Sequence, residues 1–96
     1  MPGYVYFQED IFDPERFEEY KKQSVKSIAQ YGGKFIARGG EVQVLEGDFN
    51  FSRVVIIEFP SVQAAREWHE SPEYAAAKAL RREISKGEAV LVEGVG

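Results

Sequence analysis

Two side chains of this sequence have types suited to acid–base chemistry and anion binding. Glu58 follows Val54 and Ile56 at every second position of a predicted strand, so its carboxylate is expected on an apolar, partly buried face. A buried carboxylate needs a partner, and Arg38 on the preceding strand could supply one. Glu58 would then be a general base, with Arg38 holding an anionic substrate group. The alternative is a structural ion pair at the sheet edge or at a dimer interface.

His69, the only histidine, falls at helical spacing with Val62 and Ala65 and could relay protons near neutral pH. The alternative is a partly buried histidine that is hydrogen-bonded near a helix break. We expect no metal, because the chain has no cysteine and further ligands would have to be carboxylates from distant segments. The predicted catalytic residues are therefore Glu58 and His69, without a cofactor.

Aromatic side chains could line a ligand pocket between sheet and helices, with phenol hydroxyls orienting the ligand. The predicted substrate-binding residues are Arg38, Tyr6, Tyr31, Trp68 and Tyr74, and Tyr20 and Phe35 are candidates for the same lining. The alternative is that these aromatic residues belong to an ordinary core.

Some of these candidate residues must lie on helices. Two predicted helix starts have the same pattern, a capping residue followed by proline and glutamate. The Asp-Pro-Glu of 13–15 predicts a helix that runs to Tyr31. A second helical region opens at Ser61, restarts at the Ser-Pro-Glu of 71–73, and is expected to end at the Lys-Gly pair of 86–87.

The chain of 96 residues is long enough for one domain. Four strands are expected beside the helices. They are predicted at 4–11, 34–38, 53–59 and 88–93, with a bulge at Gly39–Gly40, an extended segment at 42–46 and a turn at 47–50. The order βαββαβ predicts an α+β fold, a ferredoxin-like sandwich of one four-stranded antiparallel sheet with its helices on one face.

The second face of that sheet is expected to need a cover. Val54 and Ile56 lie on one side of their strand, Val55 and Ile57 on the other, so both faces are apolar. Because the helices cover only one face, the other would pack against its equivalent in a second copy. The sequence therefore predicts a homodimer that forms a dimeric α/β barrel.

The balance of acidic and basic side chains indicates which kinds of partner the protein could bind. Twelve basic against 16 acidic side chains leave a net charge of -4, which argues against nucleic acid as a partner. The basic group formed by Lys78, Arg81, Arg82 and Lys86 is expected to be solvated at a helix end. No apolar run approaches the roughly 20 residues that span a bilayer, and no signal sequence opens the chain, so we expect a cytoplasmic protein without membrane contact.

Six short motifs occur in order along the chain: YGG at 31–33, RGG at 38–40, LEGD at 45–48, EFPS at 58–61, WHESPEY at 68–74 and LVEG at 91–94. Together they resemble the bacterial family known as domain of unknown function 1330. The resemblance covers essentially the whole chain and implies membership of the dimeric α/β-barrel superfamily.

The resemblance does not supply a reaction. The superfamily includes cofactor-free monooxygenases, haem-degrading enzymes, lactone isomerases and plain ligand-binding domains, and a shared fold cannot choose among them. Two hypotheses for function follow. The first is a cofactor-independent enzyme, monooxygenase-like or isomerase-like, acting on a small anionic or aromatic metabolite. The second is a dimeric ligand-binding or structural domain without chemistry.

Overall fold

Four antiparallel strands and three helices make up the computed structural model, which describes residues 1–96. The strands are β1 Gly3–Ile11, β2 Lys34–Arg38, β3 Arg53–Phe59 and β4 Ser85–Glu93, in the sheet order β2-β3-β1-β4. The helices are α1 Pro14–Gln30, α2 Val62–His69 and α3 Pro72–Ile84. This order is that of a ferredoxin-like α+β fold, so the predicted fold class is confirmed.

The helix boundaries follow from local chemistry. A side-chain oxygen of Asp13 accepts a hydrogen bond from the N–H of Arg16 at 3.2 Å, and the Ser71 hydroxyl accepts one from the N–H of Tyr74 at 3.1 Å. Both contacts satisfy amides that lack a partner in the first turn. Gly32 ends α1 with a φ of 78°, a conformation that glycine adopts without steric cost.

The junction of α3 and β4 differs from the prediction. The helix passes directly into the strand at Ser85, so the expected helix end at the Lys-Gly pair of 86–87 is wrong. Gly87 instead pairs with Glu9 of β1, where an added Cβ would collide with the backbone of Gln8 and Glu9. This glycine allows two strands to approach closely and does not cap a helix.

The bulge in β2 also lies elsewhere. The register shifts between Phe35 and Ala37, so the irregularity is at Ile36 and not at Gly39–Gly40. Residues 39–52 belong to no strand, and the extended segment expected at 42–46 therefore pairs with nothing. An extra residue in one strand reverses the direction of every later side chain, and here it turns Arg38 toward the helices.

The helices cover one face of the sheet and leave the other open. Phe59, Trp68 and Tyr74 are fully buried between the sheet and the helices. On the opposite face Val90 and Val92 are 57% and 54% exposed. That face is apolar, as the strand pattern predicts. None of the three helices has the length and apolarity needed to cross a membrane.

Candidate functional site

The predicted pair of Glu58 and Arg38 does not form. Glu58 lies on the open face, where it accepts a hydrogen bond from the Tyr4 hydroxyl at 3.2 Å and pairs with Lys34 Nζ at 3.2 Å. Arg38 lies on the helix side, with its guanidinium 4.4 Å from the centre of the Phe35 ring. The bulge in β2 separates them, because it moves Arg38 to the other face of the sheet.

His69 lies apart from both. Its ring packs against Trp68 and Tyr74, in a groove of about 130 Å³ between α2 and β4 that Leu91 also lines. Partial burial and then the charge of Lys78 lower the pKa of His69, which keeps the imidazole neutral near pH 7. The three side chains expected to share one site therefore lie at three places.

Most of the aromatic side chains predicted to bind a substrate form contacts within the protein itself. Trp68 is fully buried and donates from Nε1 to the Ser27 hydroxyl at 3.0 Å. Tyr31 donates to a carboxylate oxygen of Glu73 at 2.7 Å and so ties α1 to α3. Tyr6 lies on the open face of the sheet.

A cleft between α1 and the sheet does combine charged and aromatic side chains. We call it the Glu9 cleft; its lining includes Glu9, Lys21, Arg38, Arg53, Phe7, Phe17, Tyr20 and Phe35. Of the residues predicted to line a ligand pocket, Arg38, Tyr20 and Phe35 line this cleft. Its volume of about 20 Å³ is room for roughly one water molecule.

Glu9 is the buried acid of this cleft. It is 3% exposed, and one carboxylate oxygen lies 3.3 Å from Arg53 Nε. The other oxygen, Oε1, is buried and has no hydrogen-bond partner. Burial raises the pKa of Glu9 above its ordinary 4.5, while the charges of Arg53 and then Arg81 oppose that rise.

Behind Glu9, two phenols and a guanidinium form a buried network. The hydroxyls of Tyr20 and Tyr74 are 2.9 Å apart, and Arg81 Nε donates to the Tyr74 hydroxyl at 3.3 Å. Arg81 is only 8% exposed, so the prediction that it is solvated at a helix end is wrong. Burial raises the pKa of both tyrosines, which keeps the phenols protonated.

The sequence carries a signal for this site in the alternation of strands β1 and β3. Glu9 continues the alternation of Val5 and Phe7 on the helix side of β1, and Arg53 shares the buried side of β3 with Val55. A buried carboxylate beside a guanidinium and aromatic rings can exchange a proton and attract an anion. No three His, Asp or Glu side chains are grouped as metal ligands.

Fold and cleft together define a small ferredoxin-like α+β domain with a candidate site between sheet and helix. The chain belongs to the family described as Domain of unknown function (DUF1330), which matches residues 2–95. The resemblance drawn from the six motifs is therefore confirmed. None of the curated proteins matches the sequence.

Solved structures of the same fold come from several bacteria. A protein of unknown function from Rhodopseudomonas palustris is 21% identical, with a TM-score of 0.77 over 99% of this chain and 83% of its own. SnoaB, a cofactor-independent oxygenase from Streptomyces nogalater, is 20% identical, with a TM-score of 0.63 over 99% and 92%. A Nitrosomonas europaea protein provisionally named an antibiotic biosynthesis monooxygenase is 15% identical, with a TM-score of 0.62 over 100% of both chains. At such identities the likeness establishes the fold.

Proposed function

We propose that the protein is a cofactor-independent enzyme that moves a proton between Glu9 and a small anionic or aromatic metabolite bound in the Glu9 cleft. The observation that carries this proposal is the free Oε1 of Glu9, buried beside aromatic rings and a guanidinium. Glu9 replaces Glu58 as the favoured acid–base residue, because Glu58 is held by Tyr4 and Lys34 on the other face of the sheet.

The environment of Glu9 suits a general base. A raised pKa makes a carboxylate a stronger base near neutral pH than an exposed one. Arg38 and Arg53 would stabilise negative charge on the bound molecule as its proton leaves. An isomerase would return the proton at a different atom, whereas an oxygenase would let the substrate anion reduce O2. The fold shared with SnoaB supports the second possibility.

Deuterium exchange tests the acid–base role without knowledge of the natural substrate. Aromatic acids with an acidic C–H would be incubated with the protein in D2O and followed by NMR. We expect the wild type to accelerate exchange for at least one compound and Glu9→Gln to abolish the acceleration. Glu58→Gln and His69→Gln test the roles predicted from sequence, and Glu67→Gln on the exposed side of α2 is the control. Exchange by Glu9→Gln at the wild-type rate would contradict the proposal.

A ligand-binding domain without chemistry is the second candidate, because the cationic and aromatic lining of the cleft could hold an anion without any reaction. Native mass spectrometry of freshly purified protein would detect a retained small molecule. Release of that molecule unchanged after prolonged incubation in air would favour the binding function. Its conversion to a product of different mass would favour the enzyme.

We also propose that the active form is a homodimer joined through the open faces of two sheets. The support is the apolar character of that face, where Tyr6 and Ile56 accompany the exposed Val90 and Val92. Sedimentation equilibrium at micromolar concentration should give the dimer mass, and Val90→Glu should shift it toward the monomer. Val25→Glu, on the exposed side of α1, is the matched control, and a wild-type monomer would sink this proposal.

A further inference from the structure

The lining of the Glu9 cleft is positively charged in a chain that is negatively charged overall. It holds Lys21, Arg38 and Arg53 against the single carboxylate of Glu9, while the whole chain carries a net charge of -4. Lys21 is paired with Glu18 at 2.8 Å, but Arg38 forms no ion pair. A local excess of cations at an aromatic cleft favours an anionic ligand.

The one ion pair inside the cleft is incomplete. Glu9 Oε1 and Arg53 Nε are both buried without a hydrogen-bond partner, although the two side chains approach within 3.3 Å. Buried polar atoms normally find partners, and a buried charge pair is stabilising only when its remaining hydrogen-bonding capacity is used. Each member of this pair therefore has capacity left for another molecule.

Arg53 also occupies the space that a ligand would need. With its side chain in place the cleft has a volume of only about 20 Å³. Its guanidinium rests 4.8 Å from the centre of the Phe17 ring and lies against Gly39, which has no side chain to hold it. A ligand would therefore require Arg53 to move, and residue 39 has no side chain to block that movement.

We propose that the ligand of this cleft is a small aromatic anion that takes the Arg53 guanidinium away from Glu9, and that the released carboxylate then takes up one proton. The inference rests on the proposed function in placing the ligand in the Glu9 cleft. The proton comes from solvent or from an acidic group of the ligand, and it converts Glu9 from carboxylate to carboxylic acid. A neutral ligand leaves the ion pair closed.

The surroundings of Glu9 account for the proton uptake. Burial is the largest influence on the pKa of Glu9 and raises it, whereas Arg53 lowers it, so removal of Arg53 raises the pKa further. Arg81 of α3 still favours the charged form, and the phenols of Tyr20 and Tyr74 face Glu9 as neutral groups. Lys21 and Arg38 face the ligand from α1 and β2. An anion that takes Arg53 away therefore favours the protonated form of Glu9.

Calorimetry with a matched pair of probes tests whether an anion displaces Arg53 and causes Glu9 to take up a proton. Phenylacetate and its neutral analogue phenylacetamide would be titrated into wild-type protein near pH 7, in two buffers of different ionisation enthalpy. We expect phenylacetate to bind at least about tenfold more tightly, because it gains a charge-assisted contact, and to take up about one proton. Glu9→Gln should bind phenylacetate at least as well without proton uptake. Arg53→Met should lose the preference for the anion, and Arg66→Met, in the His69 groove, should keep it.

A second measurement needs no variant. In wild-type protein with 13C-labelled glutamate carboxyl groups, phenylacetate should shift one carboxyl resonance toward the protonated form, and phenylacetamide should not. Equal binding of the two probes, absence of phenylacetate binding, or binding without proton uptake would each contradict the proposed displacement of Arg53 and protonation of Glu9. If deuterium exchange still requires Glu9 in that case, the proposed acid–base function stands while this inference fails. If neither depends on Glu9, both fail.

Discussion

The guanidinium of Arg53 lies against Gly39 and occupies the space where any other residue at position 39 would place its Cβ. Gly39 also has a φ of 71°, a region that side chains other than that of glycine rarely adopt. The same guanidinium reaches Glu9, so the first glycine of the RGG motif keeps room for the ion pair of the cleft. The second glycine, Gly40, has no atom within 4 Å of an added Cβ.

The two glycines therefore make a matched pair of variants. Gly39→Ala should lower the free energy of unfolding by about 1–2 kcal/mol, because of its backbone conformation and its collision with Arg53. Gly40→Ala should leave stability nearly unchanged. Urea unfolding followed by circular dichroism measures both, and equal losses would show that the position of Arg53 does not depend on Gly39.

Replacing Glu9 should change how stability depends on pH. Because burial raises its pKa above 4.5, the folded protein holds a proton on Glu9 at pH values where the unfolded chain has lost it. The free energy of unfolding should therefore fall as pH rises from 4.5 through the raised pKa. Glu9→Gln cannot show this fall.

Urea unfolding of wild type and Glu9→Gln between about pH 4 and pH 8 gives the comparison. Asp10, whose pKa is lowered mainly by its hydrogen bonds with Ser52, contributes stability that is lost as pH falls. That opposite trend is common to both proteins and cancels in their difference. A difference that does not vary with pH would mean that Glu9 titrates alike in the folded and unfolded states.

Removal of the Tyr74 hydroxyl should destabilise the buried network. Tyr74→Phe leaves the Tyr20 hydroxyl and Arg81 Nε without their shared partner, at a cost of about 1–3 kcal/mol in the free energy of unfolding. Tyr31→Phe removes a single contact with exposed Glu73 and should cost less than about 1 kcal/mol. Thermal or urea unfolding orders the two variants, and the reverse order would show that Arg81 finds another partner.

Two serines of α1 offer a further comparison. Ser27 accepts the hydrogen bond of the buried Trp68 indole, whereas Ser24 donates only to the Lys21 carbonyl within its own helix. Ser27→Ala should lower the free energy of unfolding by about 1–3 kcal/mol, because the indole N–H loses its partner. Ser24→Ala should have little effect. Similar unfolding midpoints for both would indicate that the Trp68 bond contributes little.

The fold was largely predictable because its signals are local. The Asp-Pro-Glu and Ser-Pro-Glu patterns mark helix starts, and the two-sided apolar alternation of residues 54–57 marks an open sheet face. The bulge at Ile36 was not predictable, because no glycine or proline marks it and pairing with β3 decides it. That one residue determines which face Arg38 occupies.

The candidate site was predictable only in part. Arg38, Tyr20 and Phe35 line the cleft as the sequence predicts for aromatic and anion-binding residues, but the acid of the cleft, Glu9, lies in β1, whereas the predicted acid, Glu58, lies in β3. Glu9 and Arg81 are charged residues at positions where solvation is the usual state. Their burial follows from the way α1 and α3 pack on the sheet, which the sequence pattern alone does not reveal. The catalytic roles predicted for Glu58 and His69, the homodimer and the cytoplasmic location stay predictions.

The buried position of Trp68 gives the protein an optical reporter of its own. Trp68 is the only tryptophan, its ring centre lies 4.1 Å from that of Tyr74, and the Tyr74 hydroxyl contacts Tyr20 in the cleft lining. Indole emission responds to the polarity and quenching groups around the ring, so a change in packing at the cleft would alter its intensity or wavelength. Occupancy of the cleft could therefore be followed in unlabelled protein by intrinsic fluorescence.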